Sequence, residues 1–241
     1  MFATLRRGSM LTCLLLGIAS AYQARATTFT IPGAVLLFGS YNEIVIAAPD
    51  RTDTSHPPVE VGTNHGYFAY PSLSPRGDLV AWGFAREWQS GRATHRARCV
   101  LGLLSLHDQA WTLHGDFDDI KPTTFSPDGS QVAFAAVQQD QSVLVIFDVA
   151  THTMTTVPSA QGTPTTSMSW SPDAKHLAVE TTRGGAKNLS VAILDLESGS
   201  VRPLAEGVKP AWSPNGEWIA YFDPDGAKCL VVHPDGTGSK L

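Results

Sequence analysis

The chain has 241 residues, 43% of them hydrophobic and 16% charged, with a formal net charge of −5. That is enough apolar material for a packed core, and the acidic balance argues against a binder of nucleic acid or of anionic membranes, which needs a basic surface. After residue 26 no stretch is long and apolar enough to cross a bilayer as a helix, so no membrane span is expected in the mature chain.

In chain order, the first feature is a leader. Arg6 and Arg7 precede the mostly apolar run Met10–Tyr22, and Ala24-Arg25-Ala26 forms a small-residue cleavage pattern. These residues read as a secretory signal peptide over 1–26, with the folded domain at 27–241 and a periplasmic or secreted location. Its removal takes away three arginines and no acid, which leaves 14 basic and 22 acidic residues and a net charge of −8.

The segment Thr27–Phe38 aligns without gaps on Thr123–Phe134 and reads as a degenerate first unit. Its third strand is expected at 43–48 and its fourth at 59–61. Four clearer units follow. They read LSPRGDLVAW at Leu73–Trp82, FSPDGSQVAF at Phe125–Phe134, WSPDAKHLAV at Trp170–Val179 and WSPNGEWIAY at Trp212–Tyr221. Their serines, Ser74, Ser126, Ser171 and Ser213, are spaced by 52, 45 and 42 residues. A period of about 40–45 residues is the size of one four-stranded propeller blade.

Each phrase has its own physical grammar. The bulky residue before the serine (Leu73, Phe125, Trp170 or Trp212) and the small residue before that alternate across a strand, so the large one should wedge between neighbouring sheets. Pro75, Pro127, Pro172 and Pro214 have no N–H for a ladder and end the strand. Asp or Asn followed by Gly then sets a tight turn, from which Arg76 and Ala174 depart. The alanine repeated in the next strand, as in Val132-Ala133-Phe134, implies a close approach of sheets. Third strands are expected at 99–106, 142–149, 189–196 and 229–233, and short fourth strands ending at Leu113, Val157, Leu204 and Leu241. The expected fold is all-β, a propeller of about five four-stranded blades, complete or truncated.

The Ser-Pro-Asp-Gly turn followed by an apolar-Ala-aromatic strand resembles the TolB-type β-propeller repeat, a WD-like repeat family, over nearly all of the mature chain. The resemblance implies three uses. One is a periplasmic propeller that binds partner proteins of the cell envelope. One is the propeller that caps a serine peptidase, although no G-x-S-x-G elbow occurs in this sequence. One is a carbohydrate-active propeller. The expected function is a non-enzymatic interaction module for envelope proteins. The alternatives are a small-molecule or glycan propeller using channel carboxylates and histidines, and the propeller part of a larger serine hydrolase.

Ligands of propellers meet the channel or its mouth, where the first strand of each blade begins. The residues entering those strands include His65, Tyr67 and Tyr70, then Asp119 and Lys121, then Glu206 and Lys209. Asp119 and Glu206 each lie seven residues before a repeat serine, with a lysine shortly after each, so two blades are expected to present a similar acid–base pattern to one rim. As a carboxylate pair for glycoside chemistry, Asp119 and Glu206 would need a separation of about 5–9.5 Å. The eight histidines form no H-x-H or H-x-x-x-H pair, so no metal site and no cofactor is expected. Cys99 and Cys229 both open third strands, in separate units, farther apart than the about 4.4–6.8 Å of a disulfide. Two buried free thiols are expected instead.

Overall fold

The computed structural model describes residues 36–40, 43–47, 67–87, 98–107, 110–157, 163–182 and 189–240. The leader expected at 1–26, His65 and the strand expected at 59–61 lie outside them. The described residues are strands and turns, with no helix among them. A hairpin of β1 (Leu36–Ser40) and β2 (Glu43–Ala47) comes first, matching the second and third strands of the degenerate unit. The second sheet is β3 (Tyr67–Leu73), β4 (Leu79–Glu87), β5 (Arg98–Ser105) and β6 (Trp111–Phe117). The third is β7 (Asp119–Phe125), β8 (Gln131–Gln138), β9 (Gln141–Asp148) and β10 (Met154–Val157). The fourth is β11 (Thr163–Trp170), β12 (His176–Thr182), β13 (Leu189–Asp195) and β14 (Val201–Glu206). The fifth is β15 (Val208–Trp212), β16 (Ile219–Phe222) and β17 (Cys229–Val232), with Lys240 bridging back to Val231.

Within each sheet the strands pair antiparallel in chain order. The first strands β3, β7, β11 and β15 lie against one another in succession, which makes them the inner strands of a propeller. An antiparallel meander has two ends. The turns after the first and third strands share one end. The turns after the second strand and the links between sheets share the other, which is the mouth considered below.

The repeated phrase closes its turn in the same way four times. The serine hydroxyl accepts the backbone N–H five residues on, from Leu79, Gln131, His176 and Trp218, at 2.9–3.0 Å. It donates to the turn acid or amide: Asp128, Asp173 and Asn215 in three turns, and Asp78 where Arg76 takes the usual place. The Ser126 hydroxyl, and then the Ser130 N–H, hold the Asp128 carboxyl below its ordinary pKa. Gly77, Gly129 and Gly216 have φ of +71°, +76° and +76°, and Ala174 takes the same left-handed place at +57°.

The bulky residues are not equivalent. Phe125 and Trp170 are 7% and 6% exposed, whereas Leu73 and Trp212 are half-buried. The Trp170 ring sits among Ala133, Leu144 and Val157 of the third sheet as well as Leu177 and Val179 of its own, and its Nε1–H donates to the Thr124 carbonyl at 3.1 Å. Trp212 makes the corresponding approach through its backbone N–H, which donates to Ser169 Oγ at 3.0 Å, while its Nε1 is buried without a hydrogen-bond partner. The repeated alanines face the following sheet: Ala81 packs with Phe125 and Ile120, Ala133 with Trp170, and Ala178 with Ile219 and Tyr221.

Three expectations are corrected. The second sheet's outer strand runs to Phe117 rather than ending at Leu113, so Gly115-Asp116-Phe117 belongs to the strand. A register break opposite Cys99–Leu101 and a left-handed Gly115 (φ +77°) let it continue. The fourth sheet's outer strand likewise runs to Glu206. Both cysteines are free, but only Cys99 is buried; Cys229 opens a strand at the exposed end of the fifth sheet.

Candidate functional site

Every inner strand breaks its register at a similar level near the mouth. The break lies between Ala69 and Ser72, Ile120 and Thr123, Pro164 and Met168, and Val208 and Ala211. The residues left in three of these bulges are Tyr70-Pro71, Lys121-Pro122 and Lys209-Pro210. A proline has no N–H for the ladder, so it is tolerated at a bulge and there enforces one. Bulges re-aim side chains and cluster at functional rims. In the backbone ladder Tyr70, Lys121 and Lys209 each take the first place of a bulge, and its sequence signal is a residue-Pro pair three to five positions before the repeat serine. Tyr67 opens β3, opposite Ala85.

The two acid–lysine patterns are not arranged alike. Asp119 opens β7 and its carboxylate pairs with the Lys121 ammonium, both partly exposed. Glu206 ends the outer strand β14, and among the described residues it forms no ion pair with Lys209. The registers differ: Lys121 lies five residues before Ser126 but Lys209 four before Ser213. Lys209 is instead held from the neighbouring sheet. Its backbone N–H donates to Glu180 Oε2 at 3.0 Å, and its φ of +53° is left-handed. A non-glycine residue in that region is strained and persists only when its surroundings over-determine it.

Glu180 is the residue that sequence reasoning missed. It sits in β12 opposite the bulge of β11 and is 6% exposed. Ala178 and Glu180 share the face that meets the fifth sheet. Two positions after the repeated alanine, the second and third sheets have Gly83 and Ala135. An added Cβ at Gly83 would meet Ile120 at 3.0 Å, so that level of the interface is tight. A carboxylate buried at a level where two other repeats keep a small residue is the signal that could have found it.

A polar cleft of about 300 Å³ opens at the same end, between the second and third sheets, lined by Arg98, Asp116, Phe117, Asp118, Gln138 and Gln139. Arg98 pairs with Asp116 across its lip. Beneath it the Cys99 thiol is pushed up to about 11, first by burial and then by the Asp119 charge, and its S–H points to the Asp118 carbonyl at 3.8 Å. On the far end, His114 and His152 meet between the same two sheets with ring centroids 4.8 Å apart. Burial, then the nearby His152, lowers the His114 pKa. His152 lies in a turn and His176 opens β12. Among the described residues no three His, Cys, Asp or Glu side chains group as a metal site.

Residues 113–236, which hold three of the four Ser-Pro turns, fit the TolB β-propeller domain. The chain belongs to the TolB β-propeller family. Solved structures share the fold. An oligogalacturonate lyase in complex with manganese superposes with a TM-score of 0.66 at 15% identity, covering 86% of this chain and 61% of the lyase. TolB from Acinetobacter baumannii gives 0.52 at 17% identity, over 85% of this chain and 61% of that protein. Dipeptidyl peptidase 4 of Porphyromonas gingivalis gives 0.54 at 16% identity, over 88% of this chain and 38% of the peptidase. This chain therefore spans 61% of the length of the lyase and of the Acinetobacter TolB, and at these identities the TolB propeller is a shared fold rather than a shared activity.

Proposed function

We propose that this chain is an exported, non-enzymatic propeller that holds an envelope protein at its channel mouth. The observation that carries the reading is the pair of proline-marked bulges. They set Lys121 and Lys209 on one rim, one steadied by Asp119 and the other by the buried Glu180 of the next sheet. A bulge whose backbone is fixed before binding suits recognition of a polar partner surface, because that part of the ordering is already done. The leader at 1–26 supports a periplasmic or secreted location. The tagged full-length protein, purified from bacterial envelope, should retain a specific partner that Lys121→Ala/Lys209→Ala loses while keeping its melting temperature. Equal retention by both proteins would remove the lysines from the interface.

A second reading is a saccharide-directed propeller. It is supported by the likeness to the oligogalacturonate lyase and by the carboxylates Asp119, Glu180 and Glu206, which lie toward the mouth end of β7, β12 and β14. A glycan array separates the two: saturable binding of an oligosaccharide, abolished by Glu180→Gln, would favour it. The likeness to the peptidase supports a third reading, a propeller part of a hydrolase.

A further inference from the structure

We infer that the cleft between the second and third sheets is a socket for an arginine side chain of a partner protein. This rests on the reading that the mouth receives a protein, and it names the chemistry of one contact. Of the charged residues lining the cleft, all but one have a charged partner among the described residues. Arg98 is engaged by Asp116, and Lys121 by Asp119. The Asp118 carboxylate makes no ion pair and accepts no hydrogen bond among the described residues, and it lines the cleft. Gln138 and Gln139 line the same cleft. Asp118 is thus a carboxylate without a donor among the described residues, in a cleft whose two glutamines can accept as well as donate. A guanidinium supplies five N–H donors in a planar fork that matches a carboxylate in bidentate fashion.

The acceptors are held in advance. Asp118 is the single residue linking β6 to β7. Its N–H donates to the Val137 carbonyl at 2.8 Å, and its own carbonyl receives the Cys99 S–H. Gln139 and Asp140, with φ of +53° and +61°, form the two-residue left-handed turn that joins β8 to β9 and brings Gln139 to the cleft. Phe117 floors the cleft, its ring set edge-on against Phe134 at 5.5 Å, so the wall beneath the acceptors is fixed. The size lies at the lower limit of about 300–1,000 Å³ for ligand pockets and suits one side chain rather than a chain of sugars. A mature net charge of −8 favours approach of a basic partner.

The test is a titration of the isotope-labelled full-length chain with Nα-acetyl-arginine amide, followed by amide chemical shifts. Parallel titrations use Nα-acetyl-glutamate amide and methyl glucoside. Saturable shifts at Asp118, Gln138 and Gln139 are expected with the arginine derivative alone, at a Kd on the order of 1–10 mM. Asp118→Asn should weaken it about tenfold, since the charge-assisted bond becomes a neutral one. Gln139→Gly keeps the left-handed turn while removing the amide, so it should weaken binding without lowering the melting temperature. No saturable shift, an equal response to the glutamate derivative, or a response to methyl glucoside alone would overturn the socket. Retention of a partner from envelope, together with failure of this titration, would sink the socket and leave the interaction reading standing.

Discussion

Replacing Trp170 by alanine probes the wedge that joins the third and fourth sheets. The ring is 6% exposed and packs on both sheets, and its indole N–H bonds across the interface to Thr124. A buried tryptophan removes about 150–250 Å² from water, worth about 4–6 kcal/mol at about 25 cal/mol per Å² as an upper figure. Aromatic-to-alanine changes in cores cost about 3–5 kcal/mol, and the orphaned carbonyl adds about 1 kcal/mol. The expected loss is about 4–6 kcal/mol. Trp170→Phe keeps most of the wedge and should lose about 1–2 kcal/mol. Trp212, half-buried and with its indole N–H already unpartnered, should lose only about 1–3 kcal/mol as alanine. The assay is urea unfolding followed by far-ultraviolet circular dichroism, reading the shift in midpoint at constant slope. A loss below about 1 kcal/mol at Trp170, or a larger loss at Trp212, would refute the wedge geometry.

The remaining predictions are smaller. Ala174→Gly should stabilise by about 1 kcal/mol, because a left-handed alanine carries strain that glycine does not; a lower urea midpoint would contradict it. His114 has a folded pKa below 6.5, so the unfolded chain binds the extra proton more readily. Its contribution to stability is therefore full above pH 6.5 and is lost as pH falls from there through the folded value. His114→Gln should flatten that part of the melting-temperature profile, and an unchanged slope would show that the pair is not linked to folding. An alkylating reagent at neutral pH should label Cys229 in the native protein and leave Cys99 unmodified until urea is added, as read by peptide mass mapping. Fast native labelling of Cys99 would mean that the cleft floor opens.

The sequence made the blades legible because one phrase does the same physical work four times. The serine, proline and glycine positions encode a turn closed by side-chain hydrogen bonds, and their spacing sets the blade. The repeated alanine announced the sheet interfaces for a like reason, since close packing admits no larger side chain there. The site was less legible. The mouth residues were named as a group, but their shared mechanism, the proline-enforced bulge, needed the register. Lys121 and Lys209 each follow an acid by two or three residues, but only Lys121 pairs with its acid, while the Lys209 backbone is held by Glu180. Glu180 was hidden because a buried carboxylate in an apolar strand gives no motif; it is recognisable only against Gly83 and Ala135 at the same level of other sheets. The cleft joins Arg98, Asp118 and Gln139 from three strand ends of two sheets, and no linear spacing could have announced it.

The proposed function requires that the mouth, and not the opposite end, meets a partner protein. The most direct measurement places a photo-crosslinking benzoylphenylalanine at Lys121 or Lys209 at the mouth, and at Lys175 or Glu197 in turns at the opposite end, in the full-length chain within intact envelopes. The account predicts a discrete crosslinked protein from the two mouth positions and none from the two turns. Crosslinks from Lys175 or Glu197 alone would contradict it and move the working surface to the other end of the propeller.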